Sequence, residues 1–136
     1  MKVFIDTSAF VALFIDKETY HEKIASKYYE YRQQRAIFFT SYYILDELFT
    51  RLSYYKIVDI NKHIQKLKDA FNANELTVLQ IDEALFEKSI EVFIKYAEHK
   101  ISFTDATTYM LFKNYKLDEI FTLDKDFKKI RIATSF

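Results

Sequence analysis

Short apolar runs alternate with longer amphipathic stretches along the whole chain, and this alternation constrains the fold more than any other feature. Residues 2–5, 36–39, 76–81 and 119–123 are brief and rich in β-branched or aromatic side chains, so they read as strands. The segments between them carry apolar residues at helical spacing. Helices are predicted over residues 7–15, with Thr7 or Ser8 as cap, and over 19–34. Another runs from a Thr40 or Ser41 cap to about residue 55, with Ile44, Leu45, Leu48, Phe49 and Leu52 inward. A further one starts near residue 60, with Ile60, Ile64, Leu67 and Phe71 on one stripe. After Asp82 a helix should face inward with Phe86, Ile90, Phe93, Ile94 and Ala97, and Ser102-x-x-Asp105 matches a capping box opening the next. Strands separated by helices pair in parallel through right-handed crossovers. The expectation is a single three-layer α/β/α domain over residues 1–136. Its central parallel sheet should have four to five strands, the fifth an edge segment at residues 130–133.

Composition removes several function classes. The chain has no cysteine, which excludes disulfide scaffolds, thiolate metal sites and cysteine nucleophiles. It has no glycine, which excludes the glycine-rich phosphate loops and the G-x-S-x-G nucleophile elbow. Without glycine, left-handed turn positions should fall to Asn72 and Asn114. Lys plus Arg and Asp plus Glu both total 20, so bulk positive charge cannot drive nucleic-acid binding. No signal-like or membrane-length apolar run is visible, so a soluble, cytoplasmic protein is expected. His21, His63 and His99 form no spaced pair and read as solvated surface residues.

What remains is acid. Three predicted strands end in aspartate, at Asp6, Asp82 and Asp124, and ligand sites in parallel sheets lie beyond such strand ends. Asp105 and the pair Asp46-Glu47 sit on helices near the same edge. Carboxylates brought together repel one another unless a cation neutralises them. An all-oxygen ligand set favours Mg²⁺ or Mn²⁺. Each acid also has a local explanation, because Asp is a common helix cap. Asp82 reads as a cap only, and Asp105 is accounted for by Ser102. Periodicity does not choose between Asp46 and Glu47.

These residues also fall into an ordered series. Phe4-Ile5-Asp6-Thr7-Ser8-Ala9-Phe10, Ile44-Leu45-Asp46-Glu47-Leu48, Ser102-Phe103-Thr104-Asp105-Ala106 and Phe121-Thr122-Leu123-Asp124-Lys125-Asp126-Phe127 follow one another along the chain. In this order and spacing the sequence resembles the PIN-domain ribonucleases, and among them the VapC toxins of toxin–antitoxin pairs. The resemblance covers essentially the whole chain. It implies that Asp6, Glu47, Asp105 and Asp124 bind the metal and carry catalysis. It implies support from Thr7 and Thr122, with Asp126 as a neighbour. It further implies Mg²⁺- or Mn²⁺-dependent RNA cleavage, a homodimer and a cognate antitoxin. The family usually has a glycine before the strand of the last motif, and Lys116 occupies that place.

An acid cluster needs a basic rim to hold RNA. Arg51, Lys125, Lys128, Lys129 and Arg131 are the candidates for phosphate contact. Tyr42, Tyr43, Tyr54 and Tyr55 offer stacking surfaces or helix packing, and Tyr28, Tyr29 and Tyr31 a dimer seam. Two other classes of function fit the same acids. One is a receiver-like signalling domain, which would need an acidic pair after the first strand, where only Asp6 stands. The other is a PIN-like binding module without catalysis, against which the presence of all four acids speaks.

Overall fold

The computed structural model describes residues 1–56 and 59–136. Four strands, β1 (Lys2–Ile5), β2 (Ile37–Ser41), β3 (Leu76–Leu79) and β4 (Glu119–Phe121), form one sheet in the order β3-β2-β1-β4. Every pairing is parallel. Val3, Phe4 and Ile5 of β1 are all buried, because the central strand is covered on both faces. Seven helices flank the sheet among the described residues. Helices α1 (Thr7–Phe14) and α2 (His21–Gln33) connect β1 to β2, and α3 (Tyr42–Leu52) and α4 (Ile60–Asn72) connect β2 to β3. The return to β4 runs through α5 (Glu83–Lys95), a 3₁₀ turn at Ala97–His99 and α6 (Phe103–Asn114). Helix α7 (Asp126–Lys129) follows β4.

The strand order matters for function. The chain proceeds from β1 outward to β3, then crosses back to place β4 on the other side of β1. A crevice therefore opens between the carboxyl ends of β1 and β4, where the winding reverses.

Helix starts follow the local chemistry. Ser41 accepts the Ile44 N–H at 3.2 Å, Asp59 that of Lys62 at 3.1 Å and Asp82 that of Leu85 at 2.8 Å. Ser102 and Asp105 exchange bonds of 3.0 and 3.1 Å in a full capping box. Helix α1 departs from expectation. Its N-cap position is Asp6, and neither Thr7 nor Ser8 caps it.

Other expectations are corrected by packing. Residues 130–133 form no strand, and only an isolated bridge joins Thr134 to Ile120. Along α5 the buried residues are Leu85, Ser89 and Val92, whereas Phe86, Phe93 and Ile94 are exposed. Phe86 and Phe93 meet Phe103 of α6 edge-on, at centroid distances of 5.3 and 5.8 Å, and leave their other sides open. Tyr28 and Tyr31 do not form an outer seam. Tyr31 is buried, donates its hydroxyl to Glu119 and packs edge-on to Phe121, while Tyr28 stacks on Phe38. His63 is buried as well, stacked 4.8 Å from the Phe14 ring, and the loss of hydration pulls its pKa down.

The left-handed positions are Arg35, Asn74, Lys100, Lys116 and Arg131, and neither Asn72 nor Asn114 is among them. Each follows the end of a helix or helical turn, where a glycine would commonly sit. Four of the five carry a cation, which interacts favourably with the negative end of the preceding helix. That interaction offsets part of the left-handed strain. Lys116, in the place of the family's glycine, adopts the glycine-like φ of 52°.

Candidate functional site

A cleft of about 410 Å³ opens at the β1–β4 switch point. Asp6 enters from the end of β1, Glu47 and Arg51 from α3, Asp105 from the first turn of α6, and Asp124 and Asp126 from the segment after β4. Asp46 and Glu47 part company here. Glu47 lines the cleft, and Asp46 lies in a separate depression with Tyr42 and Phe71. Asp82 is not among the lining residues and serves as the cap of α5. A larger groove of about 570 Å³ lies between α1 and α4, but its walls are mainly apolar and bring together no comparable acids.

Asp6 is the deepest acid. It is buried, and loss of hydration pushes its pKa up to about 7, reinforced by the nearby charges of Asp105 and Glu47. The Thr122 hydroxyl opposes this by donating to the Asp6 carboxylate at 2.7 Å. Asp105 is pushed up to about 6, mainly by burial and then by Asp124 and Glu47, against the stabilising bond from the Ser102 N–H. Carboxylate oxygens of Asp105, Asp124 and Asp126 lie within 4.8 Å of one another. Among the described residues no ion pair involves Asp6, Glu47, Asp105 or Asp124. The acids of the cleft, of which only Asp126 has an ion-pair partner among the described residues, fit a hard divalent cation, which would remove both the repulsion and the desolvation penalty of the charged forms.

A hydroxyl network fixes the floor of the cleft. Thr122 Oγ1 also accepts the Asp124 N–H at 2.9 Å, and the Asp126 N–H donates to Asp124 Oδ1 at 2.8 Å. Ser8 Oγ accepts the Leu123 N–H at 2.9 Å and lies 3.1 Å from Thr122 Oγ1 and 3.4 Å from Asp6 Oδ2. Thr122 thus stands where a supporting hydroxyl was expected. Thr7 differs: its buried hydroxyl has no partner among the described residues, and only its backbone N–H acts on Asp6. The support comes from Ser8 instead, which the sequence placed two residues after Asp6 without indicating where its hydroxyl turns.

The cations divide. Arg51 lines the cleft, as does Lys100, which no sequence signal singled out. Lys125 and Lys128 line an adjoining cavity. Lys129 turns to Asp126 at 2.6 Å and so answers an acid of the cleft, and Arg131 lines neither space. Of the tyrosines, Tyr43 packs edge-on to Phe103 and Tyr55 donates to Glu18, while Tyr42 and Tyr54 are exposed.

Comparison with known proteins agrees with this fold. The family model described as PIN domain matches residues 3–133. A search of curated protein sequences finds no match. Among solved structures, the sarcin-ricin loop cleaving toxin VapC20 of Mycobacterium tuberculosis is 20% identical with a TM-score of 0.80, over 96% of this chain and 96% of that one. The Rickettsia felis VapBC2 structure, bound to a promoter DNA fragment, matches at 16% identity and a TM-score of 0.70, over 99% and 98% of the two chains. DNA-bound VapBC from Salmonella typhimurium matches at 14% and 0.68, over 99% and 97%. At these identities the likeness is one of fold.

Proposed function

The chain belongs to the PIN-domain family, and from that premise we propose that it is a Mg²⁺- or Mn²⁺-dependent endoribonuclease, the toxin of a toxin–antitoxin pair. The carrying observation is the convergence of Asp6, Glu47, Asp105 and Asp124 on one cleft without an ion pair to any of the four among the described residues. These four acids would hold the ion. A divalent cation held there supplies the Lewis acidity that activates water and screens a scissile phosphate. Thr122 and Ser8 hold Asp6 in place, and the Asp126 N–H holds Asp124. Where one carboxylate of the four stays off the ion, we assign that place to Asp124, which would then orient the attacking water. Arg51 and Lys100 on the cleft wall would draw the phosphate in against the acids.

The partners follow the same reading. Neighbouring structures named as VapBC complexes support a cognate antitoxin for this chain. A homodimer is supported by the exposed Phe86, Phe93 and Ile94 of α5, since apolar faces of that kind mark interfaces. We read residues 1–136 as a single domain working in the cytoplasm. No helix among the described residues is long and apolar enough to cross a membrane.

The test is direct. Purified protein should cut RNA in Mg²⁺ or Mn²⁺ and stop on addition of EDTA. Undiminished cleavage in chelator would refute the metal-dependent reading. Light scattering on the protein and on an Ile94→Asp variant tests the dimer, which should dissociate in the variant.

A further inference from the structure

A second cavity, of about 330 Å³, shares Leu123 and Asp124 with the acidic cleft. Lys23 of α2 lines it together with Lys125 and Lys128 from the segment after β4. The rings of Tyr20 and Phe136 complete the wall. The Lys23 ammonium lies 4.2 Å from the Phe136 ring centroid and 5.9 Å from that of Tyr20. None of the three lysines forms an ion pair with a described residue, whereas their neighbour Lys129 is engaged by Asp126. Asp124 is the one acid on this wall, and one of its oxygens already accepts the Asp126 N–H. The cavity is therefore positive where the cleft beside it is negative. Tyr20 is 53% exposed, so its ring is free for a ligand.

A polyanion crossing an acid cluster needs cations on the next phosphate along. Cations alone would accept any anion, but an exposed ring beside them selects for a flat partner. Every base offers a π-face for such a ring, and a duplex keeps its bases stacked away from it. We propose that this cavity is a nucleotide subsite of the acidic cleft. Lys23, Lys125 and Lys128 contact successive phosphates, Tyr20 takes an adjacent unpaired base, and the RNA strand is laid across Leu123 and Asp124. The proposal rests on the nuclease reading and adds to it the path of the strand and the residues that hold it.

Fluorescence anisotropy with a labelled single-stranded oligoribonucleotide and its matching duplex tests this, in an Asp105→Asn background that prevents cleavage. Combining Lys125→Ala and Lys128→Ala should weaken single-strand binding about tenfold or more and flatten the slope of log K against log salt by about 1.4, or 0.7 for each lost phosphate contact. Tyr20→Ala should weaken the single strand about tenfold, leave the duplex unchanged and leave the salt slope alone. Lys88→Ala on the exposed side of α5 is the control and should change nothing. Unaltered affinity and slope in the double lysine variant, at an unaltered thermal midpoint, would assign the cavity to another ligand and overturn the proposal. Equal losses for single strand and duplex on Tyr20→Ala would overturn the stacking role. Cleavage by the native protein separates the two readings. Lysine-dependent binding without any cleavage keeps the subsite and removes the nuclease. Cleavage with an unchanged KM in the double variant does the reverse.

Discussion

Helices α5 and α6 begin with nearly the same chemistry and end with different tasks. At α5, Asp82 bonds the Leu85 N–H and stands in solvent, outside the cleft. At α6, Ser102 takes over the capping bond and Asp105 returns one to the Ser102 N–H. That exchange leaves Asp105 satisfied locally and yet turned toward Glu47 and Asp124, whose charges help to raise its pKa to about 6. A local cap and a member of an acid cluster are thus the same residue type in the same helical turn. The difference lies in what the sheet brings opposite. Asp82 follows the edge strand β3, and Asp105 reaches the switch point between β1 and β4.

Substitution can break this comparison in steps of decreasing size. Asp105→Asn, or Asp6→Asn, should lower RNA cleavage roughly a thousandfold or more, as removal of a catalytic-centre group does. Initial rates at saturating Mn²⁺ measure it, and near-native rates would reduce both acids to caps. Next comes the dependence of stability on pH without metal. The folded-state pKa values of Asp6 and Asp105, about 7 and about 6, lie above the ordinary 3.8. Their contribution to stability is therefore fully present below pH 3.8 and is lost as pH rises through 6 and 7. Between pH 5 and 8 the metal-free protein should lose on the order of 2–4 kcal/mol. Thermal midpoints in EDTA should fall over that window, Asp6→Asn should flatten the fall, and Mn²⁺ should reverse it. A midpoint that rises steadily from pH 5 to 8 in EDTA would contradict the clustering.

Smaller effects sharpen the contrast. Ser102→Ala should cost about 1 kcal/mol by denaturant unfolding, since it removes a cap. It should also raise the KM for metal, because Asp105 loses its tether. Asp82→Asn should be nearly silent in cleavage, stability and metal-induced stabilisation, because Asn caps a helix about as well as Asp. A loss of activity there comparable with that of Asp105→Asn would erase the distinction between the two helix starts.

The four strands of the sheet, the caps of α3, α5 and α6 and the order of elements were legible because each depends on residues close in sequence, whereas the α1 cap and the edge strand at 130–133 were not found. Ser41, Asp82 and Ser102 each announce a helix to their own backbone and nothing further away needs to be known. The inward face of α5 was not legible. Six apolar side chains compete for it, and the contact with α6 through Phe103 leaves Phe86 and Phe93 half outside. Tyr31 looked superfluous on a polar helix because its partner, Glu119, lies far along the chain on β4. Asp46 and Glu47 are about 100° apart on α3, so only the rotation of that helix against its neighbours separates them. The acids were raised by their places at strand ends and helix starts, and the family resemblance singled out four of them. Their convergence, and the hydroxyl of Ser8 beneath them, depends on β4 returning beside β1.

The glycine-free turns leave the molecule marked for proteolysis. Arg35, Lys100, Lys116 and Arg131 are exposed, and each stands just beyond a helix or helical turn. Trypsin cuts after these two residue types, so each boundary carries its own cleavage site. Where opening is fast relative to cutting, the rate at a site reports the local opening equilibrium. A brief digest would therefore rank the joints by how readily they unfasten. Repeating it with RNA or a partner bound would show which joints the contact holds shut.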